Sequence, residues 1–143
     1  MANIIPFSFR GALFSGQHDF ANGGNTFKFS LYTTNPYTTA STVALLGVSN
    51  GEVDSTGGTN YSVKTLGSQA VASGTAVASV DFANVTYSSA SFTAAFAAIC
   101  NTDTVDGVAN RLVVVLDFGG NKTATNGTFT VTFPDPSTPA NAI

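Results

Sequence analysis

Apolar and polar residues alternate with period two along much of this chain, a pattern that predicts β-strands with one buried face. The two clearest strands are residues 26–33 and 128–133. In the first, Phe27, Phe29 and Leu31 share one face, and Lys28, Ser30 and Tyr32 share the other. In the second, aromatic and aliphatic residues alternate with three threonines, so both segments are predicted to be strands.

Other segments have a weaker strand pattern, and they are residues 42–48, 61–66, 75–83, 85–88 and 91–100. The alanines of the last segment also favour helix, but its larger side chains have period two and predict a strand. One face of that strand would carry Phe92, Ala94, Phe96, Ala98 and Cys100. Residues 111–118 are apolar almost throughout, which is typical of a strand covered on both faces and predicts a central position in its sheet.

Glycine and asparagine separate these segments, and they predict turns. Asn126-Gly127 lies just before residues 128–133 and predicts a hairpin between that strand and residues 111–118. About seven or eight short strands in one chain predict an all-β fold, either an antiparallel β-sandwich of jelly-roll type or a barrel. We expect one β domain over residues 1–143, with an aromatic N-terminal arm at 1–20 and a proline-rich tail at 135–143. A short helix is predicted within the arm, at residues 8–15.

Composition narrows the class of protein further. Only 9% of the 143 residues are charged, the net charge is −3, and lysine and arginine form no cluster. A nucleic-acid partner is not expected, because neutralising phosphates supplies much of that affinity. No apolar run approaches the roughly 18 residues that a membrane-spanning helix needs, so a membrane partner is not expected either. The N-terminus lacks the pattern of a secretion signal, which predicts synthesis in a cytoplasm.

Catalytic chemistry has few candidate residues. His18 and Cys100 are the only histidine and the only cysteine. We expect His18 to bond locally at the end of the first helix or to be exposed, and Cys100 to be a small core residue. Residues 101–107 have the oxygen side chains of a calcium loop, but Val105 takes a ligand position, which favours a surface turn. An enzyme, a cofactor and a metal site are therefore not expected.

The aromatic residues of the arm are more informative. The first twenty residues contain Phe7, Phe9, Phe14 and Phe20, and so short a segment cannot bury four rings by itself. Either the arm packs over an open end of the sheets, or some rings insert into a neighbouring subunit as aromatic anchors do. These four phenylalanines are the predicted partner-binding residues.

Six segments of the chain are informative as a set. They are Ser8-Phe-Arg-Gly-Ala-Leu-Phe-Ser-Gly16 with His18-Asp-Phe20, Thr26-Phe-Lys-Phe-Ser-Leu-Tyr-Thr33, Val80-Asp-Phe-Ala-Asn-Val-Thr-Tyr87, Val113-Val-Val-Leu-Asp-Phe-Gly119 and Gly127-Thr-Phe-Thr-Val-Thr-Phe-Pro134. Together, and in this order over most of the chain, they resemble a family of small structural proteins encoded by tailed bacteriophages.

This resemblance implies a virion component without catalytic residues. The first expectation is a capsid decoration, or cement, protein that binds the major capsid protein as a homotrimer on the head surface and stabilises the shell. The alternative is a tail or fibre component, including a receptor-binding or glycan-binding module whose loops, such as residues 50–60, would carry recognition.

Overall fold

The computed structural model describes residues 2–73 and 78–133. The predicted proline-rich tail at residues 135–143 and the first residues of the predicted strand 75–83 lie outside the described residues. Helix α1 precedes six strands, and a 3-10 turn at Val48–Asn50 follows the first of them. The elements are α1 (Phe7–Phe14), β1 (Phe27–Tyr32), β2 (Lys64–Thr65), β3 (Ala70–Ser73), β4 (Ala78–Asp81), β5 (Val85–Asn101) and β6 (Arg111–Val131).

The strands form two antiparallel sheets. The main sheet has four strands in the order β2-β1-β5-β6, and β3 pairs with β4 in a separate hairpin. Val80 and Phe82, in and just after β4, pack onto the apolar face of the main sheet in a two-layered, sandwich-like arrangement. The predicted all-β fold with a short N-terminal helix is confirmed. Among the described residues, no helix is long and apolar enough to cross a membrane.

The main sheet is dominated by the long hairpin of β5 and β6. The sequence predicts two short strands within each of them, but each is continuous, and so the described residues hold six strands rather than seven or eight. The predicted hairpin between residues 111–118 and 128–133 is therefore wrong, because β6 runs through both segments and pairs with β5. Gly119 and Gly120 have positive φ angles of 71° and 132°, and they allow an irregularity within the strand rather than a turn that reverses it.

Strand β6 lies at an edge of the main sheet, so the central position predicted for residues 111–118 is also wrong. The segment is nevertheless buried because other parts of the chain cover that edge. The backbone of Ile4 exchanges two hydrogen bonds with Val115, at 2.9 and 2.8 Å. Thr42 accepts a backbone hydrogen bond from Leu112 at 3.0 Å. The apolar run thus indicates an edge strand that is covered by chain segments instead of by a full neighbouring strand.

Two apolar clusters lie on opposite faces of the main sheet. The inner cluster is the larger one, and its fully buried members include Phe27, Phe29, Leu31, Ala90, Ala94 and Ala97. The outer cluster contains Tyr32, Tyr37, Ala98, Leu112 and Val115, with Ile4 and Phe96 packed against it. Tyr32 was predicted on the polar face of its strand, but that face is covered and Tyr32 is fully buried.

The predicted common face of Phe92, Ala94, Phe96, Ala98 and Cys100 is wrong, because β5 changes its register with β6 within this segment. Ala94 pairs with Lys122 and Phe96 pairs with Asp117, so Ala95 lies opposite four residues of β6, 118–121. Such a bulge changes which residues point to each side of the sheet. Ala94 therefore belongs to the inner cluster, whereas Phe96 and Ala98 belong to the outer one.

Candidate functional site: the N-terminal aromatic surface

Helix α1 is held against the body of the protein by the segment that precedes it. Pro6 is buried directly before the helix, and the backbone N–H of Phe7 donates to the carbonyl oxygen of Thr39 at 2.9 Å. The Ser8 hydroxyl donates to the carbonyl oxygen of Ser41 at 3.2 Å. Proline suits this position because it has no N–H to leave unpaired at a helix start. The helix is therefore fixed in orientation, and so are the side chains it exposes.

The structure divides the four predicted partner-binding phenylalanines into two pairs. Phe9 and Phe20 are buried in the inner cluster, where Phe20 stacks on Phe27 with 4.5 Å between ring centroids. Phe7 is 61% exposed and Phe14 is 88% exposed. The sequence does not predict which of the four phenylalanines are buried and which are exposed, because the apolar residues of this short segment show only weak periodicity.

Two aliphatic residues that the sequence analysis missed extend the exposed pair. Ile5 is 41% exposed and Leu13 is 42% exposed. We name Ile5, Phe7, Leu13 and Phe14 the N-terminal aromatic surface. Its neighbouring charge is Arg10, whose guanidinium carbon lies 4.7 Å from the centre of the Phe7 ring. Exposed apolar residues concentrated in one short segment are typical of an interaction site.

His18 is buried rather than locally bonded or exposed, which corrects the expectation from sequence. Its Nδ1 atom accepts a hydrogen bond of 3.0 Å from the side-chain amide of Asn101, at the far end of β5. The Phe9 ring lies 4.9 Å from the imidazole, between centroids. Burial, followed by the positive charge of Arg111, lowers the pKa of His18 below its ordinary value. His18 therefore helps to join the N-terminal arm to the sheet as a neutral side chain.

A polar network continues from His18 through the end of β5. Asn101 is fully buried, and its amide nitrogen also donates to the Asn25 side-chain oxygen at 2.9 Å. The Asn101 side-chain oxygen accepts the backbone N–H of Asp103 at 3.0 Å. Asp19, which follows His18 in the chain, accepts the backbone N–H of Ala21 at 2.9 Å. The carboxylate is thus occupied by the local turn, and these contacts serve to fix the loops at this end of the sheet.

Cys100 is buried, as predicted for a small core residue. Burial raises the pKa of its thiol to about 11. A thiol with so high a pKa holds very little of the reactive thiolate at neutral pH.

The segment with the oxygen side chains of a calcium loop is a surface turn, as predicted. Val105 and Val108 pair across Asp106 and Gly107, whose φ angles are 52° and 72°. Asp103 accepts the backbone N–H of Thr26 at 2.6 Å. Within residues 2–73 and 78–133, no group of three or more histidine, cysteine, aspartate or glutamate side chains could hold a metal ion.

A buried carboxylate that the sequence analysis did not single out ties a loop to the main sheet. Glu52 accepts a hydrogen bond from the Tyr61 hydroxyl at 2.7 Å and another from the backbone N–H of Gly47. The Tyr61 hydroxyl in turn accepts the backbone N–H of Leu31 at 3.1 Å. These hydrogen bonds join the 3-10 turn region to β1. All the described partners of Glu52 and of the Tyr61 hydroxyl are groups of this chain.

Known proteins provide no further guide to the site. Comparisons with protein-family models, with curated proteins and with solved structures find no match to this chain. The resemblance to phage structural proteins therefore stays a prediction from the sequence motifs.

Proposed function

We propose that this chain is a non-enzymatic structural protein of a tailed bacteriophage that decorates the capsid and stabilises the head. In this proposal the N-terminal aromatic surface binds the major capsid protein. The observation that carries the proposal is the exposure of Phe7 and Phe14 on a helix whose other face is anchored. A helix held in this way loses little conformational freedom on binding, so little of the gain from burying the rings is spent on ordering the helix.

The size of that gain supports a partner of protein type. Burying an aromatic or large aliphatic side chain stabilises a complex by about 1.5–3 kcal/mol relative to leaving it in water. The surface has two phenylalanines, and its two aliphatic residues are less exposed. Part of the total is lost to the cost of association, which leaves a modest affinity for each site. Modest binding at many equivalent sites suits a shell, because binding that favours the assembled state stabilises it by mass action.

The distal part of the β5–β6 hairpin also supports a structural role. Two exposed pairs of threonines face each other across the strands, Thr86 with Thr130 at 3.3 Å and Thr93 with Thr123 at 2.7 Å. Such pairs stabilise a sheet without adding charge. The resulting uncharged surface can lie beside neighbouring subunits with no electrostatic penalty. We place the trimer contacts of the proposal among such surfaces.

The copy number of the protein in purified virions tests the proposal. A decoration protein should be present in hundreds of copies and coat the head, as measured by quantitative gel and by imaging of labelled particles. A count in the tens, confined to the tail, would refute head decoration and favour the fibre or receptor-binding alternative. Sedimentation equilibrium of the purified chain tests the trimer separately.

A pair of substitutions tests the proposed binding surface. The double variant Phe7→Ser, Phe14→Ser should attach to heads that lack the protein at least tenfold more weakly than the parent chain, by co-sedimentation. Both side chains are exposed, so the unfolding midpoint should change little. The matched control is Val48→Ser, which removes an apolar side chain that is 57% exposed on the 3-10 turn instead. Equal attachment by all three chains would show that the surface is not the contact.

A further inference from the structure

A cavity of about 610 Å³ lies between α1, the β3–β4 hairpin and the inner face of the main sheet. Its walls are mainly apolar, with Phe9 from the helix, Val80 from the hairpin and Ile99 from the sheet among them. Leu13 and Val71 also line it and are 42% and 59% exposed, so they form part of its rim. This volume lies within the range of about 300–1,000 Å³ that is typical of sites for small molecules.

Two buried polar side chains lie among these apolar walls. His18 is 7% exposed and Ser79 is 5% exposed. The Nε2 atom of His18 and the hydroxyl of Ser79 have no hydrogen-bond partner in the part of the chain that the structure describes. Leaving such a group unpaired costs free energy, and native proteins seldom do so without a reason. Both unpaired groups belong to residues that line the same cavity.

The hydrogen bonds around His18 identify what it offers to a ligand. The Asn101 side-chain oxygen accepts from the backbone of Asp103, which turns the amide nitrogen towards His18. An amide nitrogen only donates, so Nδ1 of the imidazole is the acceptor. In the neutral ring the proton then lies on Nε2, which is a donor. The Ser79 hydroxyl can donate or accept.

The charges at the cavity favour an uncharged ligand. Its only charged lining residues among those described are Arg10 and Asp19, which are both exposed and opposite in sign. Arg111, whose positive charge acts on His18, is buried but does not line the cavity, so no buried side chain of the described lining carries a charge that could pair with an ionised head group. Burying an unpaired charge is far more costly than burying a neutral group that can form a hydrogen bond.

We propose that this cavity binds an uncharged amphiphile, a molecule with an apolar chain or ring and an alcohol, ester or ketone oxygen that bonds to His18 Nε2 or to the Ser79 hydroxyl. The apolar part lies against the phenylalanine and valine side chains of the walls. The site adjoins the proposed capsid contact, because Ile5 and Leu13 of the N-terminal aromatic surface line the cavity whereas Phe7 and Phe14 do not. Binding at the site does not depend on whether the protein decorates a head.

A displacement assay with the purified full chain tests the proposed ligand class. The uncharged fluorescent probe N-phenyl-1-naphthylamine should bind with increased emission, and 1-decanol should displace it. Decanoate at pH 8, which has the same chain length and an ionised head, should need at least a tenfold higher concentration. Absence of probe binding, or equal displacement by the two compounds, would overturn the proposal.

Two substitutions with a matched control locate the binding. Ser79→Ala removes an unpaired hydroxyl, so it should leave the unfolding midpoint unchanged or raise it while weakening decanol binding about threefold to tenfold. The control is Tyr87→Phe, which removes another buried hydroxyl without a described partner, at a residue that does not line the cavity. The control should bind decanol as the parent chain does. Equal weakening by both variants would refute the role of Ser79.

A blocking variant keeps the test decisive if loss of one hydroxyl has a small effect. Ala78 is exposed and lines the cavity, so Ala78→Trp can add bulk there without replacing a core side chain. This variant should fold, by far-UV circular dichroism, and should lose probe binding. Unchanged probe binding by folded Ala78→Trp would place the probe elsewhere and overturn the proposal.

Discussion

Three buried tyrosines differ in the number and the charge of the hydrogen-bond partners of their hydroxyls, and this difference makes a sharp prediction. The Tyr37 hydroxyl donates to the Tyr32 hydroxyl at 2.6 Å and accepts the backbone N–H of Leu45 at 2.9 Å. The Tyr61 hydroxyl has two partners, one of them a carboxylate. The Tyr87 hydroxyl has none among the described residues. All three side chains are at most 5% exposed.

Replacing each tyrosine by phenylalanine keeps the ring and its packing, so the change in stability reports the hydroxyl alone. Tyr37→Phe removes two neutral hydrogen bonds and leaves the Leu45 N–H unpaired, which should cost about 2 kcal/mol. Tyr61→Phe removes a bond to the Glu52 carboxylate and one to the Leu31 N–H, which should cost about 3 kcal/mol. Tyr87→Phe removes no described bond, so it should change the free energy of unfolding by less than about 0.5 kcal/mol or stabilise the protein.

Urea unfolding followed by far-UV circular dichroism measures all three variants against the parent chain. This signal is preferable to fluorescence, because the chain has no tryptophan and each variant removes one of its four tyrosines. The expected order of cost is Tyr61→Phe, then Tyr37→Phe, then Tyr87→Phe, with unchanged slopes against urea. A cost for Tyr87→Phe equal to that for Tyr37→Phe would refute the assignment of stability to these hydrogen bonds.

Two further predictions concern pH and backbone conformation. The lowered pKa of His18 means that the unfolded chain takes up a proton below about pH 6.5 while the folded protein resists it. The free energy of unfolding should therefore fall as the pH drops from 7.5 to 5.5. His18→Gln should remove this dependence, because the chain has no other histidine. An unchanged dependence in the variant would contradict this explanation. Gly51 has a φ of 84°, and a Cβ atom there would overlap the Thr34 side chain, whereas Gly57 has a φ of 70° with open space around it. In thermal unfolding, Gly51→Ala should therefore destabilise the protein more than Gly57→Ala, which should lower the free energy of unfolding by about 1–2 kcal/mol. Equal destabilisation by the two variants would show that the overlap with Thr34 is relieved.

The sequence predicts the class of fold because the strands have strong local signals. In β1, Phe27, Phe29 and Leu31 alternate with other residues, and all three are fully buried as that pattern requires. The short helix α1 is likewise predicted to within one residue at each end. The separation of Phe9 and Phe20 from Phe7 and Phe14 could not be predicted, because it depends on which side of α1 meets the sheet. The cavity could not be predicted either, because its lining joins the N-terminal arm, the β3–β4 hairpin and the main sheet, which are far apart along the chain.

Turn chemistry misleads in this protein for a physical reason. The pairs Gly119-Gly120 and Asn126-Gly127 contain residues that adopt positive φ at low cost, and a hairpin turn is one structure that uses them. A bulge within a long strand needs the same conformations. Whether such a pair forms a hairpin turn or a bulge depends on residues that lie tens of positions away in the chain. Here β6 continues through both pairs because β5 is long enough to pair with it. Local residue preferences cannot contain that information.

The bulge in the β5–β6 hairpin also connects the fold to the proposed binding surface. With strict alternation from Phe92 onward, Phe96 and Ala98 would lie in the inner cluster, and Ala97 and Ile99 would take their places on the outer face. The register change places them on the outer face beside Tyr32 and Val115. Ile4 packs against that outer cluster and pairs with Val115 just before α1 begins. The irregularity opposite Ala95 thus determines which apolar side chains of the outer face lie in the cluster that Ile4 contacts, and α1 follows that contact with Phe7 and Phe14 exposed.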